Sequence, residues 1–395
     1  MVPNGWDVIK LRDVGKCLTG LTYSPKNVVD NGLLVLRSSN VQDSKLAFED
    51  NVYVDLDVPK EGRTKYGDIL LCVRNGSRRL IGKSAFITQE AEGYAHGAFM
   101  GLFRPIDTPD YTFQLFQSES FFKQVNQNLG ATINSINSGN LYDFKFPYPP
   151  IQEREKIAKI LSTWDEAIST TEHLIDNSTQ QKKALMQQLL TGKKRLLDDE
   201  GKRFEGKWEE VKLSKWLIEY KEKSTTQDQY DVYTSSRNGL VLQSDYFANS
   251  RIAGRDNIGF HVIPPNHITY RSRSDDGFFT FNLFSSDKNG LISNYYPVFS
   301  TKGINEFFIA LFEQYRAVFG RYSVGTSQKV LSLNALKDIS FKIPNLPEQQ
   351  KIATLLTNAD KEIELLEQQL ADLQQEKKAL MQVLLTGKKR VVVDG

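Results

Sequence analysis

Six polar residues, Arg74, Asn75, Ser77, Arg78, Arg79 and Lys83, crowd together behind an apolar phrase, DILLCV at 68–73. A guanidinium fork can donate two parallel hydrogen bonds to guanine, and an amide can pair with an adenine edge, so the mixture suits base reading. The competing explanation is a solvated turn whose three arginines keep a strand edge soluble. A second cluster, Arg271, Ser272, Arg273 and Ser274, followed by Asp275 and Asp276, stands behind the phrase HITY in a similar position. Two polar stretches also sit alike, shortly before an apolar exit phrase: Thr132 to Asn137, with Thr132 and Asn134 as candidates, and Thr326, Ser327, Gln328 and Lys329. Their hydroxyls, amides and ammonium could contact phosphates or bases.

Other chemistries find little support. GSRRLIGKS at 76–84 approaches a phosphate-binding loop, but five residues rather than four separate Gly76 from Gly82, and Lys83 and Ser84 fit better as the start of the strand KSAFIT. The four histidines, His96, His173, His261 and His267, are too scattered for a catalytic or zinc set, and Cys17 and Cys72 form no CxxC pair. Asp and Glu abound without a paired base or nucleophile context.

The elements that must position these clusters are announced by an internal echo. QKKALMQQLLTGKKR at 181–195 returns as EKKALMQVLLTGKKR at 376–390, with thirteen of fifteen positions identical. The echo extends upstream at the same offset of 195, where KIAKILSTWD at 156–165 matches KIATLLTNAD at 351–360. In the second copy Ile352, Leu356, Ala359, Ile363, Leu366, Leu370, Leu373, Lys377, Leu380 and Leu384 alternate steps of four and three, a heptad seam. The first copy keeps that phase through Ile157, Leu161, Trp164, Ile168, Thr171, Ile175, Ser178, Lys182, Leu185 and Leu189, with a more polar middle. A polar seam residue fixes register at a cost in stability, so this helix is expected to depend on a partner. From about Glu153 to Leu190 it would span roughly 55 Å, a spacer rather than a core helix.

Both helices carry the same punctuation. A strand-like phrase ending in proline precedes each, FKFPYPP at 144–150 and FKIPNLP at 341–347, and the helix is expected to begin only after it. Thr-Gly-Lys-Lys-Arg follows each, so Gly192 and Gly387 suit a left-handed cap. The cations there suit either the negative helix end or a phosphate or partner contact.

The segments between the helices read as mixed α+β heads. Residues 1–150 hold strand phrases at Leu33, Asp68 and Ser84, then a helical pattern near 113–127; residues 206–343 repeat the plan with HITYRS, FFTFNLF and the helix INEFFIALFEQY. Trp6 in WDVIKL and Trp208 in WEEVKL open the heads at an offset of 202, so the first head is seven residues longer. The expected domains are 1–150, a helix at 151–195, 196–347 and a second helix at 348–395. At 395 residues with 40% hydrophobic and 25% charged side chains, disorder is not expected. A net charge of +2, and 16 basic against 16 acidic residues in 1–150, mean that any nucleic-acid contact must come from local patches. Two cysteines, no signal-like start and no run of eighteen apolar residues point to a soluble cytoplasmic protein without membrane contact.

Two dissimilar segments, each opening on W-x-x-x-K-L and closing on a P-x-x-x-E-x-E/Q-K-I-A helix that ends LLTGKKR, resemble the specificity subunit of type I restriction-modification systems over essentially the whole chain. GDILLCVRNGS at 67–77 and PNLPEQQKIATLL at 344–356 resemble that family's wording as well. The resemblance implies two target recognition domains, each reading one half of a split double-stranded DNA site. It also implies two antiparallel helices in a coiled coil with pseudo-two-fold symmetry, which space the domains and dock two methyltransferase subunits, with restriction subunits as further partners. It implies a chain that is not an enzyme. With no Asn/Asp-Pro-Pro-Tyr motif and no glycine-rich cofactor fingerprint here, no cofactor is expected in this chain; S-adenosylmethionine and ATP belong to the partner subunits. The alternative is a coiled-coil scaffold joining two protein-binding heads, which near-neutral charge also fits.

Overall fold

The computed structural model describes residues 2–129, 134–236, 239–246 and 256–393. The chain divides into two compact units, Met1–Glu172 with Gln368–Gly395, and His173–Glu367. Each unit therefore holds one head, the start of the helix that follows it, and the end of the other helix.

In the first unit the entry strand Asp7–Lys10 pairs antiparallel with the exit strand Lys145–Tyr148, which closes the head. Its main sheet runs Gly15–Thr19, Met100–Pro105, Ile69–Cys72, Ser84–Phe86, antiparallel throughout. Ile69–Cys72 reads ILLC and is wholly buried, as an interior strand with no solvent face should be. A smaller sheet runs Ala95–His96, Leu33–Leu36, Tyr53–Val54, Val28–Val29. The helical pattern expected near 113–127 is two helices, Pro109–Phe116 and Glu119–Asn128, because Ser118 leaves helical geometry and its Oγ caps Phe121 N at 3.2 Å.

The second unit follows the same plan with different residues. Glu209–Lys212 pairs with Ser340–Ile343, and the main sheet runs Leu217–Tyr220, Val298–Thr301, Ile268–Tyr270, Phe281–Leu283. Helix Asn305–Gln314 buries Phe307, Phe308, Leu311 and Phe312 against it.

Both long helices are 39 residues, Ile151–Leu189 and Leu346–Leu384. The first starts directly after Pro150. The second starts one residue ahead of Pro347 instead of after it; proline is tolerated there because first-turn N–H groups have no intrahelical partner. Every seam position is fully or partly buried. In the second unit Lys182 ion-pairs with Asp360, and Ser178 lies 3.5 Å from Glu362, so the two helix segments there run antiparallel. In the first unit Lys377 meets Asp165 at 2.6 Å, the same pair shifted by one repeat. Thr171, 4% exposed, bonds its own helix at Ala167 O.

The cores continue from heads into helix ends. Ile157, Ala158, Leu161, Leu384 and Leu385 join the first head's core; Leu189, Leu190, Ile352, Ala353 and Leu356 join the second's. Each buried leucine or isoleucine among them contributes about 1.5–3 kcal/mol, enough for a handful to hold a helix end in place. Among the described residues no helix is long and apolar enough to cross a membrane.

Candidate nucleic-acid interface

In the first head the two candidate stretches, distant in sequence, meet in space. Arg74 forms a bridge with Ser135, Asn75 N donates to Asn134 O at 3.2 Å, and Asn134 Nδ2 donates to Gly76 O at 2.9 Å. The short 3-10 turn Arg78–Leu80 then returns the chain toward the next strand. Arg74, Ser77, Arg78 and Arg79 are exposed, and Lys83 is half-buried at the turn's exit. Asn75 is otherwise occupied: Oδ1 accepts from Ser77 N at 2.9 Å and Nδ2 donates to Ser38 Oγ at 3.3 Å. Its amide helps to build the turn. Arg78 donates to Asn126 O at 3.3 Å. Thr132 lies outside the described residues.

The second head makes the same junction as a short two-stranded ribbon. Arg273–Ser274 pairs antiparallel with Lys329–Val330, and Leu331 N donates to Ser272 O at 2.9 Å. Side chains alternate across it, as a strand requires. Ser272 Oγ donates inward to Tyr295 O at 2.6 Å, and Ser274, 8% exposed, bonds Asp276. Arg271, Arg273, Asp275 and Asp276 are exposed. Thr326 and Ser327 are exposed at the ribbon tip, Gln328 donates to Asp275 at 3.4 Å, and Lys329 is half-buried. Gly325 makes that tip possible, since its φ is +107° and a Cβ there would lie 2.1 Å from Gln328 O. A polar cavity of about 290 Å³ opens beside it, lined by Arg271, Arg273, Asp275, Phe278 and Arg316 among others.

One arrangement is common to both heads and was not among the expected site residues. The Arg74 guanidinium lies 5.7 Å from the ring centre of Phe99, and that of Arg273 lies 4.8 Å from that of Tyr295. Each ring comes shortly before a strand, Met100–Pro105 or Val298–Thr301, whose neighbour, Ile69–Cys72 or Ile268–Tyr270, ends a few residues before the arginine, and both rings are largely exposed, at 58% and 61%. Nothing in the sequence sets these two aromatics apart from those of the core.

A second constellation, also duplicated, lies at the foot of each head. In the first unit Trp6 Nε1 donates to Glu153 at 3.2 Å and Arg390 grips the same carboxylate; in the second Trp208 Nε1 donates to Glu348 at 3.2 Å and Arg195 grips it. The final arginine of each LLTGKKR phrase thus serves neither as a simple helix-end charge nor as a free cation. Gly192 and Gly387 turn the chain toward it with φ of +69° and +72°. The Arg390 guanidinium holds the Glu153 carboxyl below the usual carboxylate range. Burial pushes the Cys17 and Cys72 thiols up, away from the reactive thiolate, and pushes the His96 and His261 imidazoles down. Among the described residues no three His, Cys, Asp or Glu side chains gather as a metal site.

Residues 3–178 and 206–375 match the family described as the type I restriction modification DNA specificity domain, and the chain belongs to that family. It is a non-catalytic member, catalysis residing in other subunits. The protein described as the type I restriction enzyme MjaX specificity subunit of Methanocaldococcus jannaschii is 27% identical over 414 residues, covering 99% of this chain and 95% of its own. The StySPI specificity subunit of Salmonella potsdam is 24% identical, covering 89% and 81%. The crystal structure of the type I restriction-modification S subunit from M. genitalium shares the fold, with a TM-score of 0.61 at 14% identity over 98% of both chains.

Proposed function

We propose that this chain is the DNA sequence-recognition and assembly subunit of a type I restriction-modification complex. Each head reads one half of an asymmetric bipartite site. The long helices form an antiparallel coiled coil with pseudo-two-fold symmetry, set the spacing between half-sites and dock two methyltransferase subunits, with restriction subunits as further partners. S-adenosylmethionine and ATP bind those partners.

The observation that carries the reading is the repeated arginine-on-aromatic junction, Arg74 with Phe99 and Arg273 with Tyr295, set among otherwise different residues. Equivalent placement supports a shared task, and the differing surroundings support two different half-sites. The duplicated ion pairs Lys182 with Asp360 and Lys377 with Asp165 support the two-fold relation between helices, since an isologous contact repeats each residue pair in reverse.

The test is to co-produce the chain with its methyltransferase partner in a host lacking the modification and to map methylated adenine. A split, asymmetric motif with a fixed gap is the expected result. If a complex forms and no new motif arises, the chain is a scaffold for two protein-binding heads instead.

A further inference from the structure

Resting on that reading, the second head carries more information than the presence of a DNA reader. At and beside its ribbon Arg271, Arg273 and Asp275 are exposed, whereas Ser272 is half-buried and Ser274 is buried. The edge therefore offers donors at two positions and an acceptor at a third. Among the described residues neither arginine forms an ion pair with Asp275. The Gln328 amide on the facing segment donates to Asp275.

Asp275 separates two kinds of DNA contact. A carboxylate beside the phosphate backbone is repelled, whereas in the major groove it can accept from the cytosine amino group. Residues 74–83 of the first head hold four cations and no carboxylate, a pattern that phosphates would tolerate. The second head's mixed edge fits bases. The major groove admits a two-stranded ribbon, and there guanine presents two acceptors while cytosine presents a donor. Arginine seated on a ring uses the face of its guanidinium and keeps its in-plane N–H groups available, so Tyr295 restricts Arg273 without consuming its donors.

We propose that this edge enters the major groove and reads a G·C base pair, with Arg273 donating to guanine O6 and N7, Asp275 accepting from cytosine N4, and Tyr295 positioning Arg273. The second half-site then contains at least one G·C pair fixed by this ribbon.

The test uses the full chain with its methyltransferase partner and maps methylated adenine for substituted chains whose thermal midpoints match the parent. Arg273→Ala should relax one G·C position in one half-site, with discrimination there falling roughly five- to 150-fold, while the other half stays fixed. Arg273→Lys should relax the same position, because an ammonium keeps the charge and lacks the fork. Asp275→Asn should relax the cytosine of that pair, and Tyr295→Leu should weaken the discrimination that Tyr295→Phe preserves. An unchanged motif in Arg273→Ala, or an even loss over all sites that Arg273→Lys restores, overturns the proposal and makes Arg273 a phosphate contact. A parental chain that gives a split motif whose second half holds only A·T pairs overturns it while leaving the proposed function standing. A parental complex that gives no motif removes both.

Discussion

Arg195 donates to both carboxylate oxygens of Glu348, Nε to Oε1 at 2.5 Å and Nη2 to Oε2 at 2.7 Å, and this pair has a twin in Arg390 and Glu153. The Glu348 side chain is 1% exposed. Removing its cation would leave a buried charge with only the Trp208 N–H, and breaking a buried pair from one side costs about 3–5 kcal/mol. Arg195→Ala should therefore loosen the second unit by that order, and adding Glu348→Gln should recover part of the loss by removing the charge. Native-state hydrogen exchange reads both: faster exchange confined to 173–367 is expected, and equal acceleration over the whole chain would contradict the assignment.

Acid should weaken the first unit by two steps. His96 is buried in the first head, its Nδ1 has no hydrogen-bond partner among the described residues, and burial lowers its pKa from 6.5. A depressed histidine contributes stability that is present above about pH 6.5 and lost as pH falls toward its folded value, because the unfolded chain takes up the proton first. Glu153 is also depressed, from 4.5, chiefly by the hydrogen bond from Arg390, so its contribution is present above that value and is lost further down in acid. Unfolding followed from pH 7.5 to 5.5 should show a falling midpoint that His96→Asn flattens. An unaltered slope in that variant would remove His96 as the cause.

Much of this was legible in the sequence, and the exceptions have physical reasons. The repeat at an offset of 195 and the seam from Ile352 to Leu384 are local, periodic signals, and periodicity survives without tertiary information. Strands such as Ile69–Cys72 and helix Asn305–Gln314 were equally plain as apolar runs. What stayed hidden was long-range: Trp6 with Glu153, or Asn75 spending its amide on Ser38 and Ser77, depends on residues that only folding brings together. Phe99 and Tyr295 were missed because an aromatic in a strand-rich phrase is expected to be core. The domain boundary expected at 150 falls where the first helix begins and the one at 347 falls just inside the second, whereas the compact units break within the helices, at Glu172 and Glu367.

The two cap glycines should respond unequally to the same substitution. Both are left-handed, which costs an alanine about 1–2 kcal/mol. A Cβ on Gly192 would sit 3.5 Å from the Trp208 ring, an ordinary contact, whereas on Gly387 it would lie 2.4 Å from Pro3 Cγ. Gly387→Ala should thus cost more than Gly192→Ala, with the excess in the first unit where Pro3 must move. Denaturant unfolding of the two variants decides it, and equal midpoints would mean that the N-terminal residues yield freely.

The polar middle of the first seam bears on partner dependence. Thr171 satisfies itself on its own helix, and Lys182 reaches Asp360 with the lysine a quarter and the aspartate more than half exposed, so this pair is worth at most about 1 kcal/mol. An apolar pair at this spot would pack better than an exposed ion pair, so Lys182→Leu with Asp360→Leu should raise the melting midpoint of the isolated chain by a few degrees. The parent chain should gain more than this variant on adding its methyltransferase partner, since the partner supplies what the polar seam withholds. Thermal melts of both chains, alone and in complex, give the comparison. If the parent's midpoint does not move when the partner binds, the seam's polarity serves register alone.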